Sequence, residues 1–144
     1  MNGDKLMTLL TFHLIAVSFW FGLLAAETVL ELWPRDAGQR RTIAGIHRWI
    51  DTFFELPIVI AVLSSGGLLL ARAWPPSPLL WFKVTAGLIA VLANLICIPI
   101  VSARSRAADD ARITTLTRYI AMTGWGIPFA LLAFAIGLFY LPGH

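Results

Sequence analysis

Apolar residues run in four long blocks along this chain, at roughly 6–30, 50–71, 80–103 and 117–141, and each matches the ~20 residues a helix needs to cross a ~30 Å hydrocarbon layer. Inside the blocks the few polar residues recur at helical spacing, so the pattern predicts an all-α, integral membrane four-helix bundle. The blocks take up nearly all of the chain, which is therefore one transmembrane domain over residues 1–144. The longest connections, near 31–48 and 104–116, are too small to hold a soluble domain, which confines function to the bundle and its edges. The turn Trp74-Pro75-Pro76-Ser77-Pro78 breaks any helix and closes the second connection tightly. Pro57, Pro99 and Pro128 fall inside spans two, three and four and predict kinks there, where neighbouring helices re-satisfy the freed carbonyls.

Composition agrees. With 58% of residues apolar and 13% charged, the chain has too little charge to cover a soluble domain of this size. The charge that exists is arranged by connection. Arg35, Arg40, Arg41 and Arg48 lie between the first two spans and Arg104, Arg106, Arg112 and Arg118 between the last two, whereas Lys5, Arg72 and Lys83 lie at the other end. The positive-inside rule then places both termini on the non-cytoplasmic side of the membrane. These arginines form no patch with interleaved aromatics, so the net charge of +3 is an orientation signal and not a nucleic-acid surface. Trp33, Trp49, Trp74, Trp81 and Tyr140 sit near span ends, where interfacial aromatics belong. The first block exceeds the apolar core of a signal peptide, and Leu24 is a poor fit where cleavage wants a small residue, so it reads as a span. Cys97, the only cysteine, excludes an intrachain disulfide and covalent haem attachment.

Two faces predict close helix packing: Gly126, Ala130, Ala133 and Gly137 on the fourth span, and Gly87, Ala90 and Ala93 on the third. Spacing alone leaves open whether they meet within one bundle or between two copies.

Ionisable residues also keep to single faces. At about 100° per residue, His13, Trp20, Glu27 and Glu31 fall within about 40° of one another on the first span. His47, Asp51 and Glu55 step by four along the second, and Lys83, Gly87, Ala90, Asn94 and Cys97 share a stripe on the third. A charge facing lipid costs several kcal/mol, so these faces turn inward. By depth they separate into an outer pair, His13 and Lys83, and an inner group of Glu27, Glu31, His47, Asp51, Glu55 and Asn94. The two histidines should differ in depth by about 15–25 Å, too far to share one haem iron within a protomer.

The run Phe12-His13-Leu14-Ile15-Ala16-Val17-Ser18-Phe19-Trp20-Phe21-Gly22-Leu23-Leu24 resembles the first helix of the small four-helix bacterial membrane proteins of the HemJ and CopD-like grouping. Leu56-Pro57-Ile58-Val59 with Ser65-Gly66-Gly67-Leu68, and Leu79-Leu80-Trp81-Phe82-Lys83-Val84, continue the likeness in order through spans two and three. A HemJ-like resemblance implies haem b, a dimer or larger homo-oligomer, and oxidation of protoporphyrinogen to protoporphyrin, with His13 as axial ligand and Lys83 near the porphyrin. A CopD-like resemblance implies copper handling across the inner membrane.

Three readings follow. In the first, the chain is a haem b protein with a redox or porphyrin-handling role: His13 ligates iron, Trp20 walls the porphyrin, Lys83 meets a propionate, and the second axial position falls to His13 of another copy, to Met122, or to none. In the second, Glu27, Glu31, His47, Asp51 and Glu55 hold a divalent metal ion, copper, zinc or iron, for binding or transport, because carboxylates and imidazole on facing helices supply four or more ligands. In the third, the chain is an accessory membrane subunit whose carboxylates pair with Arg48 and Arg118. There is no P-loop, GxGxxG, GxSxG or HExxH motif to suggest soluble-enzyme chemistry.

Overall fold

A computed structural model describes residues 3–33 and 36–139; Arg35 and Tyr140, named above, lie outside them. All regular secondary structure among the described residues is helical. Helix α1 covers Gly3–Leu32, α2 Ala37–Ile50, a π-helical turn Asp51–Glu55, α3 Leu56–Arg72, α4 Pro78–Ser105, α5 Asp110–Thr123 and α6 Gly126–Phe139. With α2 running through the π-turn into α3, and α5 followed closely by α6, these make four helices long and apolar enough to cross a membrane.

The second and fourth spans start well before the expected 50 and 117. The sequence at Ala37–Ile50 is amphipathic: Gln39, Arg40, Arg41 and Arg48 face outward and lower the average hydropathy, while Ile43, Ala44 and His47 are buried. Helix α5 follows the same logic, with Ile113 and Ile120 buried beneath a polar face. A reading based on apolar runs stops where such helices leave the hydrocarbon. The starts are fixed by side-chain caps: Asp36 accepts from the Gln39 amide at 2.8 Å, Ser77 from Leu80 at 3.2 Å and Asp109 from Arg112 at 2.6 Å. Pro78 follows its cap at the first helical position, where its missing N–H costs nothing.

The three prolines act differently. Pro57 has no N–H and its ring crowds the carbonyl four residues back, and the helix answers with the π-turn just before it, closed by the Leu56 amide on the Asp51 carbonyl. Pro128 stands four residues after Gly124, where α5 gives way to α6. Pro99 lies within α4, which continues to Ser105.

Helices α4 and α6 pack through the two small-residue faces, so that contact is internal to the bundle. A Cβ on Gly126 would sit 2.6 Å from the Ala93 Cβ, and one on Gly87 would sit 3.8 Å from Ala133. Helix α1 packs chiefly on α3. At mid-height the two pairs meet in a dry layer to which all four spans contribute: Trp20, Val59, Ala90, Val91 and Ala130, with Phe21, Leu24, Ile58 and Phe129 around them. Outside, Phe12, Ile15, Phe19, Phe53, Ile60, Leu68, Leu92, Ile96 and Leu131 are exposed, a surface suited to hydrocarbon and not to water.

Candidate metal centre

On the arginine-rich side of the Trp20 layer, three helices turn polar side chains toward one point. Helix α1 brings Glu27 and Glu31 one turn apart on the face that also carries Trp20. The second span brings His47, Asp51 and Glu55, all almost fully buried. Over four residues an α-helix overshoots a full turn by about 40°. A π-turn holds roughly one more residue per turn and undershoots, so the drift from His47 to Asp51 is cancelled between Asp51 and Glu55. Helix α4 adds Arg104, which is 1% exposed and among the most deeply buried side chains of the chain.

These groups form a directed chain. Arg104 grips Glu31 with both terminal nitrogens, Nη1 donating to Oε2 at 2.6 Å and Nη2 to Oε1, while Nη1 also reaches the Thr117 hydroxyl at 3.3 Å. A carboxylate held by a guanidinium in this way only accepts, so His47 Nδ1, 2.6 Å from Glu31 Oε1, is the donor. Nδ1–H toward a carboxylate is the arrangement that orients metal-ligating imidazoles and leaves Nε2 free to bind.

His47 Nε2 faces Glu27 Oε2 at 3.6 Å and Asp51 Oδ1 at 3.5 Å. Both distances exceed those of a normal N–H···O bond, ~2.7–3.2 Å. They match the ligand-to-ligand edge of a tetrahedral site, about 3.3–3.6 Å for bonds of ~2.0–2.2 Å. Ligand atoms of Glu27, His47 and Asp51 all lie within 4.8 Å of one another, and all three residues are buried. The second oxygens, Glu27 Oε1 and Asp51 Oδ2, are buried without a hydrogen-bond partner. The cluster holds four carboxyl groups, those of Glu27, Glu31, Asp51 and Glu55, of which only Glu31 is paired with the Arg104 guanidinium, and buried carboxyls in such excess call for a cation or protons.

Beside the cluster lies a cavity of about 270 Å³, reached by Glu27, Glu31, His47 and Glu55 from one side and by Asn94, Cys97, Thr117 and Thr123 from the other.

The expected inner group is thus brought together, with two changes. Trp20, expected to wall a porphyrin beside His13, donates its indole N–H to Glu55 Oε1 at 3.2 Å and belongs to the inner group. The arginine that pairs with the carboxylates is Arg104; Arg48 and Arg118 are exposed and join no ion pair with the cluster. Arg104 was legible only as an orientation charge. The signal that marks it out is its place seven residues past Cys97, two helical turns along the polar stripe of α4.

His13 stands apart. Its Nδ1 lies 2.9 Å from the Ser65 hydroxyl, which itself donates to the Ala61 carbonyl at 2.6 Å, so the ring is the donor in that pair. Its Cε1 lies 3.1 Å from where a Cβ on Gly66 would be, so a side chain there would press on the ring. Lys83 is half-buried, its stem against Gly137, and Met122 is exposed.

The fold and the site together define a helical protein with four helices long and apolar enough to span a membrane and a buried Glu–His–Asp constellation. No family model, no curated protein and no solved structure matches the chain. Its functional reading therefore rests on its own residues.

Proposed function

We propose that this chain is a multi-pass membrane protein, both termini outside the cytoplasm, that binds a divalent transition-metal ion inside its bundle and handles that ion within the membrane. His47 Nε2 and one carboxylate oxygen each from Glu27 and Asp51 are the ligands. Glu31 and Arg104 fix the imidazole, and Glu55 borders the site with its carboxyl steadied by Trp20. The observation that carries this reading is the position of His47 Nε2, which faces two carboxylate oxygens at 3.5 and 3.6 Å while Nδ1 is engaged by Glu31, distances longer than normal hydrogen bonds and close to the spacing of ligands around a shared cation. One imidazole with two carboxylates suits Zn²⁺, Fe²⁺ or Mn²⁺; cuprous ion favours thiolate and thioether ligands, which this set lacks.

A haem b role through His13 draws less from the geometry. The His13 ring is packed on Gly66 and tied to a neutral hydroxyl, Trp20 is committed to Glu55, and Met122 points away from the interior. Metal analysis and an absorption spectrum of the purified protein test both readings together. The expected result is about one equivalent of zinc, iron or manganese per chain, abolished in Asp51→Ala with His47→Ala, and no Soret band. A Soret band that disappears in His13→Ala, with metal content unaffected by the double substitution, would overturn the proposal in favour of haem.

A further inference from the structure

The polar interior is divided unequally by the dry layer of Trp20, Val59, Ala90, Val91 and Ala130. On one side are His13, Ser65 and Lys83; on the other are the metal centre and the cavity of about 270 Å³. The cavity lies beside the buried carboxylates, between α1 and the α5–α6 break, and its lining extends through Thr28, Thr117 and Gly124 as far as Leu32 at the end of α1. In the opposite direction the side chains of the layer are 1–6% exposed, one or more from every span, and Trp20 lies across the boundary with its N–H on Glu55. An ion with its hydration shell cannot cross such a layer without several kcal/mol of desolvation.

We infer that the metal ion is exchanged through one face only: it enters and leaves along this cavity from the face carrying Arg41 and Arg112, and Trp20 is the gate that shuts the centre off from the opposite face. The inference rests on the metal-binding reading for the identity of what moves and on the cavity and the layer for the direction. The arginines at the mouth leave the path open to a cation. Arg104 is engaged by Glu31, Arg41 is paired with Asp110 at 2.9 Å, and the remaining exposed charges are screened within about 8 Å at physiological salt.

Cys97, the only cysteine, lines the cavity and is therefore a native reporter. The test is modification of Cys97 by a charged, membrane-impermeant methanethiosulfonate in sealed vesicles of each orientation. The exposed faces are assigned by the same reagent on Arg41→Cys in a Cys97→Ser background. The expected result is modification only from the Arg41 face, slowed about tenfold by zinc at ~10 times its Kd. In Trp20→Ala, modification becomes possible from both faces. Modification of the native chain from the opposite face, or by a lipophilic maleimide alone, would overturn the inference, the latter because the cavity then opens to lipid. Should Cys97 resist every reagent, Ala121→Cys in the Cys97→Ser background probes the same cavity, and its resistance too would overturn the inference. One-sided modification without zinc protection, in protein that also retains no metal, would leave the one-sided cavity standing and remove the metal-binding reading.

Discussion

The two buried histidines of this bundle share a residue type, a depth of burial and a place on an inward helix face, yet their surroundings are opposite. His13 meets a hydroxyl and the bare backbone of Gly66, with the Lys83 ammonium as the charged group on its side of the layer and no carboxylate in contact, and is held as a packing residue is held. His47 meets three carboxylates, one of them fixed by a buried arginine, and its second nitrogen faces oxygens that it does not hydrogen-bond. Spacing along a helix reports which way a side chain points; the charge of its partners reports what it is there to do. On that test His13 is satisfied by a neutral hydroxyl, while the inner group carries an excess of carboxyls, the feature on which the proposed metal binding rests.

The sharpest way to break this contrast is to remove each imidazole in turn. His47→Ala is expected to weaken zinc binding by about 100-fold or more, and His13→Ala to leave it unchanged, as read by metal titration of the purified protein. Equal losses would mean that the two sites are not distinct. Next come the groups that hold each ring. Arg104→Ala leaves Glu31 buried without its cation and is expected to cost about 3–5 kcal/mol in detergent unfolding and to lower metal affinity roughly 10–100-fold. Ser65→Ala removes a neutral partner from His13 and is expected to cost only about 1 kcal/mol, with metal affinity untouched. The smallest contrast lies in the packing that supports each region. In Gly126→Ala the new methyl lands 2.6 Å from Ala93 Cβ on a helix that cannot yield, and a loss of about 1–3 kcal/mol is expected. In Gly137→Ala it meets the Lys83 stem at 2.8 Å, a flexible chain that moves aside, so unfolding should shift far less.

The four helices and their inward faces were legible because hydrocarbon leaves little choice: length, hydropathy and one-sided polar spacing follow from the cost of exposing backbone and charge to lipid. The grouping of Glu27, Glu31, His47, Asp51 and Glu55 was legible for the same reason. What was not legible arose from contacts between helices. Arg104 sits at a span end where arginine serves orientation equally well, and only its position opposite Glu31 on another helix distinguishes it from Arg48 and Arg118. Trp20 shares a face with both His13 and Glu27, and which of the two regions it joins depends on how high α3 places Glu55 beside it. The internal meeting of the two small-residue faces required the α4–α6 pairing, which a single stripe does not specify.

The π-turn at Asp51–Glu55 has a consequence for how the chain tolerates a change in its length. A wide turn absorbs one surplus residue without altering the phase of the helices on either side, so the second span has a slot where a residue can be lost. Thr52, exposed and bonded only to the carbonyl of Arg48 at 2.8 Å, occupies it. Deleting Thr52 should relax the turn into plain α-helix and preserve the four-span fold. Deleting Leu63, about three turns further on, should swing the rest of that helix by about 100° and carry Ser65 away from His13. Circular dichroism and size-exclusion of the two deletions would separate a helix with a spare residue from one in which every residue is counted.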